Sequence, residues 1–192
     1  MRALKRIWLI RHGASTMPSG LAVGFTDPAL SQEGRAQAQR AAVELARRPL
    51  VRVISSDLRR AAQTAGIVAA PHRLDVETTP ALRELDFGAW EGRTLSELWV
   101  DEPAAAAAWE GDLRATPMSF GESLSDLEGR VARFWESLQP LPHRGEVAIV
   151  AHGGSLAALT SLITGASVGD CLAMRLEPGG ILELDAGIRV EL

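Results

Sequence analysis

The chain has 192 residues, 46% hydrophobic and 23% charged, the proportions of an ordinary globule rather than a disordered or membrane-embedded chain, and at this length one domain is expected. A formal net charge of -4 argues against the basic stripe that a nucleic-acid or anionic-membrane surface needs, so arginines that meet an anionic ligand must be local. The single cysteine, Cys171, rules out an internal disulfide and, with only four dispersed histidines, a zinc site; its expected role is small core filler, compatible with a reducing compartment.

Arg2, Lys5 and Arg6 precede an apolar run, Ile7 to Ile10, that is too short for a signal peptide, so the expected location is the cytoplasm. That run reads as a strand buried on both faces, and it stops at Arg11-His12-Gly13. In open α/β sheets ligands bind at the carboxyl ends of the strands, which is where this places Arg11 and His12. Residues 14–30, with Pro18, Gly20, Gly24 and Pro28, read as a loop over that strand end. Ser31 is a candidate cap for a helix whose apolar positions Ala38, Ala41, Ala42 and Leu45 fall on one face. Val51 to Ile54 is a second buried strand, and Ser55, Ser56 and Asp57 are candidate caps for a helix with Leu58, Ala61, Ala65 and Val68 inward.

Arg59 and Arg60 fall in the first turn of that helix, where the macrodipole disfavours cations. An anion at the helix N-terminus removes the conflict, and Arg59 is expected to swing to solvent. Leu74 to Val76 is a short strand, followed by Leu82 to Gly92, a loop apolar enough to be tied down on the protein. Within it Glu84, flanked by Leu82, Leu85 and Phe87, is the candidate proton donor, because burial favours a neutral carboxyl. Pro103 to Trp109 reads as a helix stopped at Gly111. Ser123 with Asp126 resembles a capping box for a helix with Leu124, Leu127, Val131, Phe134 and Leu138 inward, ending before Pro140; Phe134 and Trp135 read as core.

Val147 to Ala151 is a buried strand that also ends at a histidine before glycine, His152-Gly153-Gly154, with a helix beyond it as far as Gly165. Leu172 to Glu177 and Ile181 to Leu184 read as a hairpin joined through Pro178-Gly179-Gly180, with 188–192 as an extension. His72 and His143, beside prolines, read as solvated turn residues. The alternation of strands and helices predicts an α/β fold: a three-layer α/β/α sandwich, its central sheet mostly parallel and helices on both faces. No phosphate-binding Gly-x-x-x-x-Gly-Lys-Ser/Thr or dinucleotide Gly-x-Gly-x-x-Gly stretch is present. Gly153-Gly154-Ser155 mimics a nucleophile elbow, but no histidine comes after Ser155 as an α/β-hydrolase order requires.

Four spaced stretches now carry a resemblance: Leu9-Ile10-Arg11-His12-Gly13, Ser56 to Ala65 with Asp57 and Arg59-Arg60-Ala61-Ala62-Gln63, Leu82-Arg83-Glu84 with Phe87-Gly88, and Ala151-His152-Gly153, joined by Asp27 to Gly34 and Gly121-Glu122-Ser123. The chain resembles the histidine phosphatase superfamily, whose other well-known branch is the cofactor-dependent phosphoglycerate mutases. The resemblance implies His12 as nucleophile, Arg11, Arg60 and His152 as the phosphate pocket and Glu84 as general acid and base. It implies no cofactor and no metal. The partner it implies is a small-molecule phosphate monoester, with no nucleic acid or membrane, and it leaves a homodimer open.

Departures bear on the substrate. Pro18 stands where the mutases carry an asparagine, Gln63 where they carry an arginine, and their paired carboxylate-binding arginines have no counterpart near Arg114. A phosphatase is therefore expected, most similar to the α-ribazole phosphatases of cobalamin synthesis, although Phe120 replaces a glycine common in that group. A broad-specificity or sugar-phosphate phosphatase, a phosphoglycerate mutase and a non-catalytic phospho-ligand binding protein are the alternatives. Phe87 and Trp90 would suit a flat leaving group if their loop borders the pocket.

Overall fold

The computed structural model describes residues 6–118, 120–141 and 144–185. Five strands form one sheet: β1 (Arg6–Arg11), β2 (Leu50–Ser56), β3 (Val76–Thr79), β4 (Glu146–Ala151) and β5 (Ile181–Asp185), in the order β3-β2-β4-β1-β5. All neighbours are parallel except β1 and β5, which run antiparallel. The helices are α1 (Gln32–Leu45), α2 (Arg59–Ala69), α3 (Leu95–Asp101), α4 (Pro103–Gly111), α5 (Leu124–Ser137), α6 (Gly153–Thr164) and α7 (Val168–Ala173).

Alternation along β1 and β4 explains why their sequences read as unbroken apolar runs. Trp8, Ile10, Ala148 and Val150 face a core completed by Ala41 and Leu45 of α1 and Ala61, Ala65 and Val68 of α2. Ile7, Leu9, Val147 and Ile149 face the opposite core, with Leu127 and Val131 of α5 and Leu156 and Leu159 of α6. With side chains packed on both faces, no strand position is left to be polar until the strand ends. The chain leaves β1 toward α1 on one face and leaves β4 into α6 on the other. The adjacent carboxyl ends of β1 and β4 therefore border a crevice, the usual ligand position in such sheets.

The expected caps mostly form. Ser31 Oγ accepts from Gly34 N–H at 3.0 Å, and Ser123 and Asp126 make a reciprocal capping box on α5. Gly165 closes α6 with φ 76°, where a side chain would be strained. The helix α2 differs. Its N-cap is Leu58, without a side-chain cap, because Asp57 is taken by Arg83 in a two-bond pair of 2.8 and 2.5 Å. The first N–H of the helix, at Arg59, instead donates to Asp27 Oδ1 at 2.6 Å from 32 residues upstream. The anion expected at this helix end is thus one of the chain's own carboxylates.

Three further expectations are corrected. The strand expected at 74–76 is Val76–Thr79, displaced because pairing with β2 begins only at Val53 opposite Val76. The expected hairpin over 172–184 is absent: residues 168–173 are helical and β5 pairs with β1, because Ser167 caps a helix by accepting from Asp170 N–H. His72 lies in a single helical turn as expected for a turn residue, but its ring is half-buried, with Nε2 shielded and unpaired. His143 and the tail 188–192 lie outside the described residues. Among the described residues no helix is long and apolar enough to cross a membrane.

Candidate active site

The crevice gathers all five expected residues. His12 N–H donates to Ala151 O at 3.0 Å, continuing the β1–β4 pairing one residue past the strands. This sets the His12 and His152 rings side by side, centroids 4.9 Å apart. Gly13 must be glycine for a steric reason: a Cβ there would lie far inside van der Waals contact of the Gly34 carbonyl, and a Cβ on Gly34 would meet Ala14 O. The close crossing lets Gly13 N–H reach Thr64 Oγ1 at 3.1 Å and Ala14 N–H reach Gln37 Oε1 at 2.7 Å. The backbone that carries His12 is therefore pinned by α1 and α2.

His12 Nδ1 lies 2.7 Å from Gly13 O. A carbonyl can only accept, so Nδ1 carries the proton and Nε2 the lone pair. Burial lowers the pKa of this imidazole to about 3; the bond to Gly13 opposes the shift and the charges of Arg60 and Arg11 reinforce it. His152, fully buried as the N-cap of α6, is held by its other nitrogen: Nε2 lies 2.9 Å from Ser56 Oγ. Its Nδ1 is buried with no partner. Burial, followed by the charges of His12, Arg60, Arg130 and Arg11, pushes its pKa well below the usual histidine value.

Arg60 is only 1% exposed. It donates to Thr26 O and Gly24 O at 2.7 Å each and to Val23 O at 3.3 Å, which leaves two of its five N–H groups for a ligand. Burial pushes its guanidinium pKa down, against the nearby carboxylates of Glu84, Asp27 and Glu91. Arg59 is exposed, as expected. Arg11, ending β1, donates to Leu176 O at 2.8 Å while its Nε is buried and unpaired.

Glu84 is half-buried, and its carboxylate accepts from Gly154 N–H at 3.0 and 3.1 Å and from its neighbour Leu85 N–H at 2.9 Å. A Cβ on Gly154 would collide with Glu84 Oε1, so the glycine at this position is what lets the acid reach the first turn of α6. The apolar neighbours expected around Glu84 are thus joined by two backbone N–H donors that hold its carboxyl group in place. Ser155, the would-be elbow nucleophile, is buried and its Oγ accepts from His152 N–H. Trp90 does not border the site: it is 1% exposed and stacks edge-on against Trp109. Phe120 is 97% exposed at φ 60°, the left-handed region that favours glycine.

Sequence reading missed the residues that hold the site's loops in place. Glu91 accepts from the N–H groups of Gly24, Phe25 and Thr26, so the loop whose carbonyls face Arg60 is gripped from its other side. Arg130 on α5 donates to the carbonyls of Ala81, Arg83 and Glu84 at 2.7–2.9 Å and pairs with Glu122 through Nε and Nη2 at 2.9 Å. A signal for Arg130 existed: it stands three residues after Leu127 and beside Val131, on the inward face of an amphipathic helix. No local signal marks Glu91. Among the described residues, no group of three or more histidine, cysteine or carboxylate side chains is arranged to hold a metal ion.

Comparison with known proteins agrees with this geometry. Residues 7–187 match the model of the histidine phosphatase superfamily (branch 1). The chain is 36% identical over 180 residues to a glucosyl-3-phosphoglycerate phosphatase of Mycolicibacterium vanbaalenii, spanning 86% of this chain and 76% of that protein. It is 35% identical over 165 residues to a probable phosphoglycerate mutase of Proteus mirabilis, spanning 83% and 75%. Among solved structures, a putative α-ribazole-5'-P phosphatase of Escherichia coli superposes with a TM-score of 0.88 at 30% identity, covering 95% of this chain and 90% of that one. With the crevice, the paired histidines and these likenesses in view, the chain belongs to the histidine phosphatase superfamily, branch 1.

Proposed function

We propose that this protein is a metal-independent phosphomonoesterase that works through a phosphohistidine at His12. The observation that carries this reading is the 2.7 Å contact of His12 Nδ1 with Gly13 O, which commits the lone pair to Nε2. With a pKa of about 3, that nitrogen is unprotonated wherever a phosphate ester is a dianion. Phosphate monoesters are so inert that catalysis must supply on the order of 20 kcal/mol, mostly by positioning and by neutralising the equatorial oxygens. The spare N–H groups of Arg60 and Arg11, and His152 Nδ1–H when Ser56 donates to Nε2, meet that need.

In the first step Nε2 attacks phosphorus, the ester P–O bond breaks and a proton on Glu84 passes to the departing oxygen. In the second, the Glu84 carboxylate takes a proton from water as the water oxygen attacks, the P–N bond breaks and inorganic phosphate leaves. Covalent capture divides one difficult displacement into two easier ones.

For the substrate we propose α-ribazole 5'-phosphate. The likeness to the α-ribazole phosphatase structure supports it. Two observations speak against a mutase: Gln63 is spent on Leu30 N–H, and Arg114 is paired with Glu128 at 2.8 Å rather than free for a carboxylate. A panel of phosphorylated metabolites assayed side by side tests both levels. The expected result is kcat/KM for α-ribazole 5'-phosphate at least roughly tenfold above that for simple sugar phosphates, about 1.4 kcal/mol of differential transition-state binding. A flat profile overturns the substrate, and no hydrolysis of any ester, including an aryl phosphate, overturns the enzyme.

A further inference from the structure

Glu84 stands in irregular chain, between the single helical turns Pro80–Leu82 and Gly88–Trp90, so its backbone is fixed by no ladder of its own. Arg130 supplies the missing partners from α5, where Leu127 and Val131 on the same face are both 0% exposed and set its root in the core. A guanidinium has five N–H groups, and here all five are taken. Nη1 donates to Ala81 O at 2.9 Å and Arg83 O at 2.7 Å. Nη2 donates to Glu84 O at 2.7 Å and Glu122 Oε2 at 2.9 Å, and Nε to Glu122 Oε1 at 2.9 Å. Glu122 closes the other side: its Oε2 also accepts from Asp86 N–H at 3.2 Å, and its own N–H donates to Asp86 O at 2.9 Å. The backbone is thereby gripped both before and after Glu84.

We propose that Arg130, locked in place by Glu122, is the positioning residue for the general acid: it fixes the backbone of Glu84 so that the carboxyl meets the leaving oxygen, without touching the substrate. This rests on the phosphatase reading above and adds what makes Glu84 competent. Unlike Arg60, Arg130 has no N–H left for a phosphate oxygen, so its part in the reaction runs through the residues it holds. Its bonds reach only the backbone of the acid; the carboxylate itself is held by Gly154 and Leu85 N–H. The two attachments act at opposite ends of one side chain, and a misplacement of about 1 Å costs a positioned group on the order of 10²-fold. The charge of Arg130 also helps to push the pKa of His152 down, so a purely electrostatic role is the rival account. Lysine separates the two. It keeps the charge but cannot span three carbonyls and a carboxylate with the flat fork they require.

The test measures kcat/KM for 2-phenylethyl phosphate, whose oxygen needs a proton to leave, and for 4-nitrophenyl phosphate, whose oxygen does not, in Arg130→Lys and Glu122→Gln. The alkyl-to-aryl ratio is expected to fall at least about tenfold in both variants, as in Glu84→Gln, while inhibition by inorganic phosphate stays within about threefold of wild type. Combined with Glu84→Gln, either substitution should lower the alkyl rate by less than about a further threefold, because the group it positions is already gone. Equal losses on the two esters, or losses that multiply in the double variants, overturn the proposal. So does weakened phosphate inhibition in both variants, which would make the pair a support of the fold or the phosphate pocket. An alkyl-to-aryl ratio untouched by Arg130→Lys would leave the charge as what matters and also overturn it. Failure of the wild-type protein to hydrolyse either ester, or an unchanged ratio in Glu84→Gln alone, would instead sink the catalytic reading beneath it.

Discussion

β1 and β4 lie side by side in parallel register, and each leaves the core at a histidine followed by glycine, yet the two imidazoles are held by opposite nitrogens. His12 is fixed through Nδ1 by the carbonyl of the next residue, a local bond. His152 is fixed through Nε2 by Ser56, a residue 96 positions away on β2. The same short pattern therefore yields one ring with a committed lone pair at Nε2 and another held at Nε2, with its Nδ1 buried. The chain beyond each histidine differs too. After His12 it enters a loop gripped by Arg60 and Glu91, whereas after His152 it enters α6, whose second N–H holds Glu84.

The sharpest way to break this contrast is to remove each ring in turn. His12→Ala should lower kcat by roughly 10⁴-fold or more, and acid-quench-sensitive phosphoryl label should be trapped on His12 of the wild-type protein. Label recovered on His152 would exchange the two roles. Next in size is Glu84→Gln, expected to cost about 10²–10⁴-fold in kcat/KM on alkyl esters but roughly tenfold or less in kcat/KM on aryl phosphates, whose oxygens leave without a proton in the first transfer. Equal losses on both would make Glu84 a structural link to Gly154. For His152→Ala, kcat should fall about 10²–10³-fold while label still accumulates on His12, as suits a donor to charge that develops in the transition state.

The smallest effect concerns pH and stability. Both histidines are shifted below 6.5 in the folded protein, His12 to about 3. Between those values the unfolded chain binds protons that the native chain does not, so stability is full above about pH 6.5 and declines as pH falls through the window. The urea midpoint should be lower at pH 5 than at pH 7.5, and His12→Gln should flatten the slope. A midpoint that rises on acidification would contradict the burial of the two rings.

Much of this molecule is legible locally. The buried strands announce themselves because side chains pack on both sheet faces, and Ser31, Ser123 and Gly165 act within a turn of their own position. The failures have one cause. The hairpin expected over 172–184 reads as strand by its apolar residues, but strand formation needs an edge to pair with, and β1 offers that edge to β5 alone. Asp57 has the chemistry of a cap but is held by Arg83 instead, while Asp27 comes from a distant loop to do that work.

What the sequence determined by itself is the type of each candidate site residue and, for three of them, its place at a strand end: Arg11, His12 and His152 stand where apolar runs stop, because charge cannot continue into a core covered on both faces. What only the tertiary structure decided is how those groups are held. Whether His152 is held through Nδ1 or Nε2, whether Arg60 has N–H groups to spare, and whether Trp90 borders the site or is sealed against Trp109 depend on partners 19 to 96 residues away in sequence. A hydrogen bond depends on atoms within about 3 Å, and no pattern of spacing along the chain records which distant atoms those will be.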